Sequence, residues 1–234
     1  MIFTAHQPNF LPYLGVFYKI YMSDNLALLD NIQYSNEGLH NANYIMINKE
    51  KKKITVPVSY KFGDKIKDVK IDKNNRWKKK MLTSIQMNYS KSEHFDEVYE
   101  LIKEEIEKDY EYLVDLNINL MKKILDKLEI KTKIYIESKD FEEKDEKNER
   151  LIYQCKKTNS NVYLSGKGGK SYNNEEEYNK NGIKIIYNKY DEIEYDDSYD
   201  YKSNYSILDY LFKKGFVIPK EWKYEKEKFW NIYS

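Results

Sequence analysis

Two short apolar runs within the first thirty residues constrain the fold more than any other feature of this sequence. Residues 2–5 (IFTA) and 25–30 (NLALLD) have the length and composition of buried strands. Between them, Pro8 and Pro12 disfavour a helix until residues 14–22, which can form two helical turns. A strand, a helix and a second strand predict a parallel β-α-β unit, and open α/β sheets bind ligands at the loops that follow their strands.

The rest of the chain continues this alternation, with one long interruption. Residues 43–48 and 54–60 predict a hairpin whose solvated tip is the lysine-rich segment 49–53. From about residue 75 to 130, apolar residues recur at helical spacing and predict three amphipathic helices. Further strands are predicted at residues 132–137, 161–164 and 183–187, and further helices at residues 149–158 and 206–212. The predicted fold class is α/β: a mostly parallel sheet with an amphipathic helical insertion or cap at about residues 75–130, in a single domain over residues 1–234.

Composition excludes several classes of protein. Lys and Arg number 40 against 39 Asp and Glu, so the net charge of +1 provides no general positive field for nucleic acid. The single cysteine, Cys155, rules out an internal disulfide, and its place in a predicted helix favours a small buried residue over a nucleophile. The three histidines lack metal-ligand spacing, so no metal site is predicted. With no apolar run of roughly 18 residues and no signal-peptide layout, we expect a cytoplasmic protein without membrane insertion.

Polar side chains follow both strands of the predicted N-terminal unit. The candidates are His6, Gln7 and Asn9 after the first strand, and Asp30, Gln33 and Tyr34 after the second. If the strands are parallel neighbours, His6 and Asp30 meet at one edge of the sheet. The carboxylate can then orient the imidazole for proton transfer, or contact a sugar hydroxyl or amine. The residues alone leave equally open that His6 packs through a satisfied imidazole and that Asp30 caps a turn.

The segment YLSGKGGKSY, residues 163–172, is the best candidate for backbone recognition of an anion. Its glycines allow amide groups to converge on an anion, and its hydroxyl and ammonium groups can supply further donors. The candidate binding residues are Ser165, Gly166, Lys167, Gly168, Gly169 and Tyr172. The spacing matches neither the P-loop nor the dinucleotide fingerprint, and an ordinary glycine-rich turn explains the segment equally well.

Two other polar segments are weaker candidates. Asn41 and Asn43 lie in a loop that follows the second strand, where amide side chains serve either ligand binding or loop structure. The acidic, tyrosine-rich stretch 191–200 can hold a cation or an amine, although such stretches are more often solvated loops.

Five segments together resemble the WbqC-like family, in the same order and over nearly the whole chain. They are HQPNFLPYLGVFYK (6–19), SDNLALLDNIQY (23–34), Pro57-Val58, YLSGKGGKSY (163–172) and SILDYLFKKG (206–215). The resemblance implies a role in the biosynthesis of bacterial surface polysaccharides such as O-antigen, with aminoacyl or acyl transfer to an amino sugar as one proposed activity. The positions that match the family pattern are His6, Gln7, Pro8, Asp30, Gln33, Ser165, Gly166, Tyr172 and Asp209. One departure lies at residues 41–43, where Asn-Ala-Asn replaces the common Asn-Arg-Asn, so an anion contact of that arginine is missing here or is supplied by a lysine.

The leading hypothesis is a transferase that acylates or aminoacylates the amine of a nucleotide-linked amino sugar. His6 is the expected general base, Asp30 orients it or binds the amine, and residues 165–169 bind phosphate or the anionic part of the donor. We expect no cofactor beyond an acyl or aminoacyl donor linked to coenzyme A or to an acyl-carrier protein.

Two alternatives stay open. One is nucleotidylyl transfer, against which stands the lack of an HxGH-like spacing. The other is a non-enzymatic protein that binds a glycan or scaffolds a pathway enzyme. Convergence of His6, Asp30 and Ser165 on one pocket would favour an enzyme, whereas their dispersal as individually buried residues would favour the non-enzymatic protein.

Overall fold

The chain folds around a five-stranded parallel sheet, as the sequence predicts. The computed structural model describes residues 1–47, 50–195 and 204–233. Its strands are β1 (Ile2–His6), β2 (Asn25–Leu28), β3 (Ala42–Ile47), β4 (Glu50–Thr55), β5 (Val58–Ser59), β6 (Lys70–Ile71), β7 (Lys133–Ile136), β8 (Val162–Ser165) and β9 (Lys184–Tyr187). Its α-helices are α1 (Leu14–Tyr21), α2 (Arg76–Tyr89), α3 (Phe95–Glu107), α4 (Leu113–Lys127), α5 (Glu137–Asp140), α6 (Lys147–Lys157), α7 (Glu175–Lys180), α8 (Ile207–Lys214) and α9 (Lys220–Tyr233). None of these helices is long and apolar enough to cross a membrane.

The order of the strands defines where a ligand can bind. The sheet runs β7-β2-β1-β8-β9, so β1 is central and both of its neighbours are parallel to it. Numbered along the chain, the five strands have the order 3-2-1-4-5, which is the order of the first five strands in dinucleotide-binding doubly wound sheets. The chain runs from β1 to β2 on one side of the sheet and from β8 to β9 on the other side. Because these two connections diverge, a crevice opens beyond the carboxyl ends of β1 and β8.

The sheet is covered by hydrophobic clusters on both faces, which explains why its strands are continuously apolar. Ile2 and Leu26 belong to the larger hydrophobic cluster, which includes buried residues of α1, the insertion and α8. Phe3 and Ala27, one position further along each strand, belong to a second cluster with α6 and α7 on the other face. Successive side chains of a strand point to opposite faces, so a sheet that is covered on both faces needs apolar residues at every position.

A long insertion separates β2 from β7 and carries the three amphipathic helices that the sequence predicts, α2, α3 and α4. It also holds the loop that follows β1. On α4, Asn117 is buried, and its Nδ2 donates to the carbonyl oxygens of Pro8 and His40, at 2.7 Å to each. The insertion therefore fixes the position of the loop that follows the central strand.

The hairpin prediction is wrong in two details. The strand β4 begins at Glu50, so lysines 51–53 lie within a strand and not at its tip, and residues 54–60 are divided between β4 and β5. Lysines fit there because, among the described strands, β4 pairs with β3 alone and its side chains are largely exposed. The ammonium of Lys51 lies 4.7 Å from the ring centre of Tyr44. Residues 48–49 lie outside the described part of the chain. So do residues 196–200 of the acidic stretch, whose first residues, 191–195, have no regular structure.

Candidate functional site

A cavity of about 720 Å³ lies in the crevice between the carboxyl ends of β1 and β8. Residues from the loops after β1, β2, β8 and β9, together with α1 and α6, form its wall. Six of the predicted site residues line it: His6, Gln7, Gly166, Lys167, Gly168 and Tyr172. The fold thus brings the loop after β1 and the loop after β8 together, as the predicted β-α-β topology requires.

His6 is the last residue of β1 and contributes an imidazole to the cavity. Its Nε2 is buried and has no hydrogen-bond partner among the described residues. Burial is the main cause that holds the pKa of His6 well below its usual value, and the positive charges of Lys19 and His40 act in the same direction. His6 is therefore neutral at pH 7, with a ring nitrogen that is free to exchange a proton with a ligand.

Lys19 is a pocket residue that the sequence reasoning missed. It lies on α1, where all residues from Leu14 to Ile20 are buried, and its own side chain is only 6% exposed. Its Nζ donates to the carbonyl oxygen of Ala5 at 2.8 Å. The sequence does contain a signal for it: a lysine stands in the middle of an apolar helix that packs on a central strand. Lysine is almost never fully buried unless it is paired.

Three further cations make the wall of the cavity positive. Lys147 and Arg150 come from α6 and Lys167 from the loop after β8, while Glu192 is the one acidic residue among the described lining. The Arg150 guanidinium is held by the carbonyl oxygen of Lys144, at 3.1 Å from its Nε. Arg150 is one of only two arginines in a chain with many lysines, and arginine suits planar, bidentate contacts with phosphate or carboxylate.

The glycine-rich segment divides between the cavity and the protein interior. Gly166, Lys167 and Gly168 line the cavity, whereas Ser165 is fully buried and its Oγ accepts a hydrogen bond from Asn173 Nδ2 at 3.0 Å. Gly169 is buried against Ser165. Tyr172 lies at the edge of the cavity, with the ammonium of Lys147 3.0 Å from its ring centre.

Adding one methyl group at Gly169 is expected to destabilise this segment. A Cβ there would lie 2.0 Å from Ser165 Oγ, whereas a Cβ at Gly168 would meet no atom within 4 Å. We expect Gly169→Ala to lower the free energy of unfolding by about 1–3 kcal/mol, and Gly168→Ala to change it by less than about 1 kcal/mol. Urea denaturation of both variants measures this difference, and equal stabilities would show that Gly169 is not packed against Ser165.

Asp30 lies apart from His6. Its carboxylate is 2% exposed and accepts two hydrogen bonds from Ser138 of α5, one from the amide at 2.9 Å and one from the hydroxyl at 2.5 Å. It does not line the cavity and has no hydrogen bond to His6. The reason is topological: β2 has two neighbours, and the loop after it turns its carboxylate towards the end of β7 instead of β1.

The remaining candidates near the N-terminal unit support the loop that carries His6. Gln7 Oε1 is 2.8 Å from His40 Nε2, and Asn43 Nδ2 donates to the carbonyl oxygens of Phe10 and Leu11, at 3.1 and 2.7 Å. Leu11 adopts a positive φ of 43°, a backbone conformation that L-residues other than glycine rarely adopt and that needs such support. The amide of Asn43 thus stabilises the loop, and of these residues only Gln7 lines the cavity.

Five other candidates lie outside the cavity lining: Asn9, Gln33, Tyr34, Asn41 and Asp209. Asn9 is partly buried and its Oδ1 has no partner among the described residues, while Gln33 is exposed. The Tyr34 hydroxyl donates to Asn41 Oδ1 at 3.0 Å. Asp209 is fully buried at the start of α8, where its carboxylate accepts hydrogen bonds from the hydroxyls of Tyr89 and Tyr195, at 2.6 and 3.0 Å. Its contacts join α2 and α8.

The structure therefore meets the criterion for an enzyme only in part. His6 lines the cavity, whereas Asp30 and Ser165 are buried outside its lining and form hydrogen bonds with protein groups. The residues that share the cavity with His6 are instead the cations of α1, α6 and the loop after β8.

Two histidines with lowered pKa values give the folded state a predictable dependence on pH. Burial lowers the pKa of His40 to about 4, and that of His6 also lies well below 6.5. The unfolded chain, with histidine pKa values near 6.5, therefore binds protons first as the pH falls, and stability that is present above pH 6.5 is lost towards pH 4. His40 is 1% exposed, and its share is about 1.4 kcal/mol per pH unit in this window.

Urea denaturation at pH 7, 6 and 5 measures this loss. In His40→Gln, the slope of the free energy of unfolding against pH should be shallower than in wild type by about 1.4 kcal/mol per pH unit. An unchanged slope would show that His40 does not resist protonation in the folded state.

The fold and the cavity define an α/β protein with a positively charged pocket in the crevice between the carboxyl ends of β1 and β8. The chain belongs to the WbqC-like protein family, whose model matches residues 7–220. It is similar to the uncharacterized protein Rv1507c of Mycobacterium tuberculosis (strain ATCC 25618 / H37Rv), with 32% identity over 93% of this chain and 96% of the relative. No solved structure matches the chain. The family resemblance seen in the sequence is confirmed, and the activity stays a prediction.

Proposed function

We propose that the protein is a transferase of bacterial surface-polysaccharide biosynthesis that moves an acyl or aminoacyl group to the amine of a nucleotide-linked amino sugar. One observation carries the proposal: a neutral His6, whose Nε2 has no hydrogen-bond partner among the described residues, lies in the same cavity as the cations of α6 and of the loop after β8. Membership of the WbqC-like family supports the proposed role in surface-polysaccharide biosynthesis, which the resemblance implies.

The cationic wall suits the diphosphate of a nucleotide-linked sugar. Lys147, Arg150 and Lys167 can each donate charge-assisted hydrogen bonds to phosphate oxygens, and Gly166 and Gly168 leave the main chain open to close approach. The crevice at this strand order is where doubly wound proteins bind nucleotides. These features favour a nucleotide-linked sugar over a neutral one.

His6 is the residue that would perform the proton transfer. As the sugar amine attacks the acyl carbonyl, a C–N bond forms, and His6 accepts the proton that the nitrogen loses. The bond from the carbonyl carbon to the donor then breaks, and the proton is returned to the leaving thiolate or alkoxide. A neutral imidazole at pH 7 is required for the first step, and the lowered pKa of His6 provides it. Asp30 has a structural role in this scheme, because its carboxylate is already bonded to Ser138.

An assay for amide formation tests the proposal. The protein is incubated with uridine- and thymidine-diphosphate amino sugars and with acetyl or glycyl thioesters of coenzyme A, and the products are identified by mass spectrometry. An N-acylated nucleotide sugar that forms only with active protein is the expected result. Absence of any product, together with absence of nucleotide-sugar binding, would contradict the proposal.

The strand order also favours a second candidate, nucleotidylyl transfer. In that reaction the same cations would bind the phosphates of a nucleoside triphosphate and a sugar phosphate. Release of pyrophosphate that depends on magnesium would identify it, whereas acyl transfer requires neither a triphosphate nor magnesium.

A further inference from the structure

The position of Lys19 is unusual for a buried lysine. Its side chain is 94% removed from solvent yet borders the cavity, and the carbonyl oxygen of Ala5 accepts one of its N–H groups. Buried lysines are normally paired with a carboxylate, which holds them in the charged form. Among the described residues, no carboxylate forms an ion pair with Lys19.

The lack of a counter-ion makes this amine available for chemistry. Burial lowers the pKa of Lys19 to about 8, so a far larger fraction of it is uncharged at neutral pH than of an exposed lysine. A neutral amine has two N–H groups and one lone pair. Donation of one N–H to Ala5 orients the nitrogen without using the lone pair.

The neighbours of Lys19 complete the requirements for a nucleophilic amine. His6 lies close enough for its pKa to be lowered by the charge of Lys19, and its free Nε2 can relay a proton. Lys147, Arg150 and Lys167 line the same cavity and attract an anionic compound. Desolvation and nearby cations are the conditions under which lysines form imines with carbonyl compounds.

We propose that Lys19 is a covalent binding site that forms an imine with an anionic aldehyde or ketone in this cavity. The proposal goes beyond the transfer reaction and does not depend on it. The lone pair of Nζ attacks the carbonyl carbon, a C–N bond forms, and the carbonyl π bond breaks. His6 takes one proton from the nitrogen and delivers it to the oxygen, which becomes a hydroxyl. His6 then transfers the second amine proton to that hydroxyl, the C–O bond breaks, water leaves, and a C=N bond remains. Hydrolysis reverses these steps, and no oxidant or reductant is consumed.

Reductive trapping tests the proposal without knowledge of the natural ligand. The chain of 234 residues is treated with glyoxylate, an anionic aldehyde, or with propanal, a neutral aldehyde, and the imine is reduced with borohydride. Peptide mapping by mass spectrometry then locates the label. We expect glyoxylate to modify Lys19 at least tenfold faster than any other lysine, inorganic phosphate to slow this modification, and propanal to show no such preference.

Lys226 is the matched control. Burial lowers its pKa as well, and its Nζ donates to the carbonyl oxygen of Tyr21 at 2.6 Å, but it lies outside the cavity. The modification should disappear in Lys19→Met and in Lys19→Arg, which keeps the charge if the methionine variant fails to fold, and should persist in Lys226→Met. Label spread over lysines according to exposure, equal labelling of Lys19 and Lys226, or equal preference for propanal would each overturn the proposal.

Discussion

Replacing His6 by alanine is expected to lower the rate of transfer by about 10²–10⁴-fold, the range that a positioned general base contributes. The binding of the nucleotide-linked sugar should be nearly unchanged, because the cations of α6 and of the loop after β8 are intact in this variant. The fold should also survive, since His6 Nε2 has no hydrogen bond to lose among the described residues. Steady-state rates, with calorimetric titration of the sugar, separate the effect on chemistry from the effect on binding.

His94 provides the control for this substitution. It lies at the start of α3, where its Nδ1 is 2.9 Å from Glu97 Oε1, and it does not line the cavity. His94→Ala should therefore keep the wild-type rate. Wild-type transfer by His6→Ala would show that His6 is not the base.

Replacing Asp30 by alanine is expected to have its effect on stability. The substitution removes both hydrogen bonds to Ser138, in which the acceptor is a buried carboxylate. Hydrogen bonds to charged groups contribute about 1.5–3 kcal/mol each, so the lower end of this range for the two bonds gives an expected fall in the free energy of unfolding of about 3 kcal/mol. For a chain of this length that loss corresponds to a decrease in Tm of about 6–12 °C.

The rate per folded molecule distinguishes the two roles of Asp30. If it only holds α5, Asp30→Ala transfers at the wild-type rate at a temperature where the variant is folded. Asp30→Asn, which keeps one oxygen acceptor, should lose less stability. A fall in rate as large as that of His6→Ala, without loss of stability, would instead support the carboxylate–imidazole pair expected from the sequence.

Local patterns were sufficient to predict the framework of the fold. The apolar runs became β1 and β2, helical spacing marked α2 to α4, and Gly215, with a φ of 71°, ends α8 as expected. These features depend on neighbours in the sequence, so the sequence could reveal them. The division of residues 54–60 between two strands depends on pairing with a distant segment, and the sequence pattern did not show it.

The sequence predicted the part of the site that follows strands β1 and β8, but not the place of Asp30 or the residues that helices contribute. His6 and the glycine-rich segment follow strands that neighbour each other, so their convergence follows from the topology. For Asp30 the sequence places the residue at the end of β2 but does not say which neighbouring strand its side chain faces. Lys19 and Arg150 lie on helices whose packing against the sheet brings them into the cavity, and that packing is decided by contacts far apart in the chain.

The central claim is that the cations of this cavity bind the diphosphate of a nucleotide-linked sugar. Calorimetric titration of a uridine-diphosphate amino sugar into wild type and two double variants tests it most directly. The first variant, Lys147→Ala with Lys167→Ala, removes two cavity cations. The second, Lys156→Ala with Lys170→Ala, removes two exposed lysines of the same helix and the same glycine-rich segment that do not line the cavity.

We predict that the first variant binds about 10²-fold more weakly than wild type, a loss of about 1.4 kcal/mol for each charge-assisted contact, and that the second binds as wild type does. Equal affinities for all three proteins, or no binding of the nucleotide sugar to the wild type, would contradict the claim.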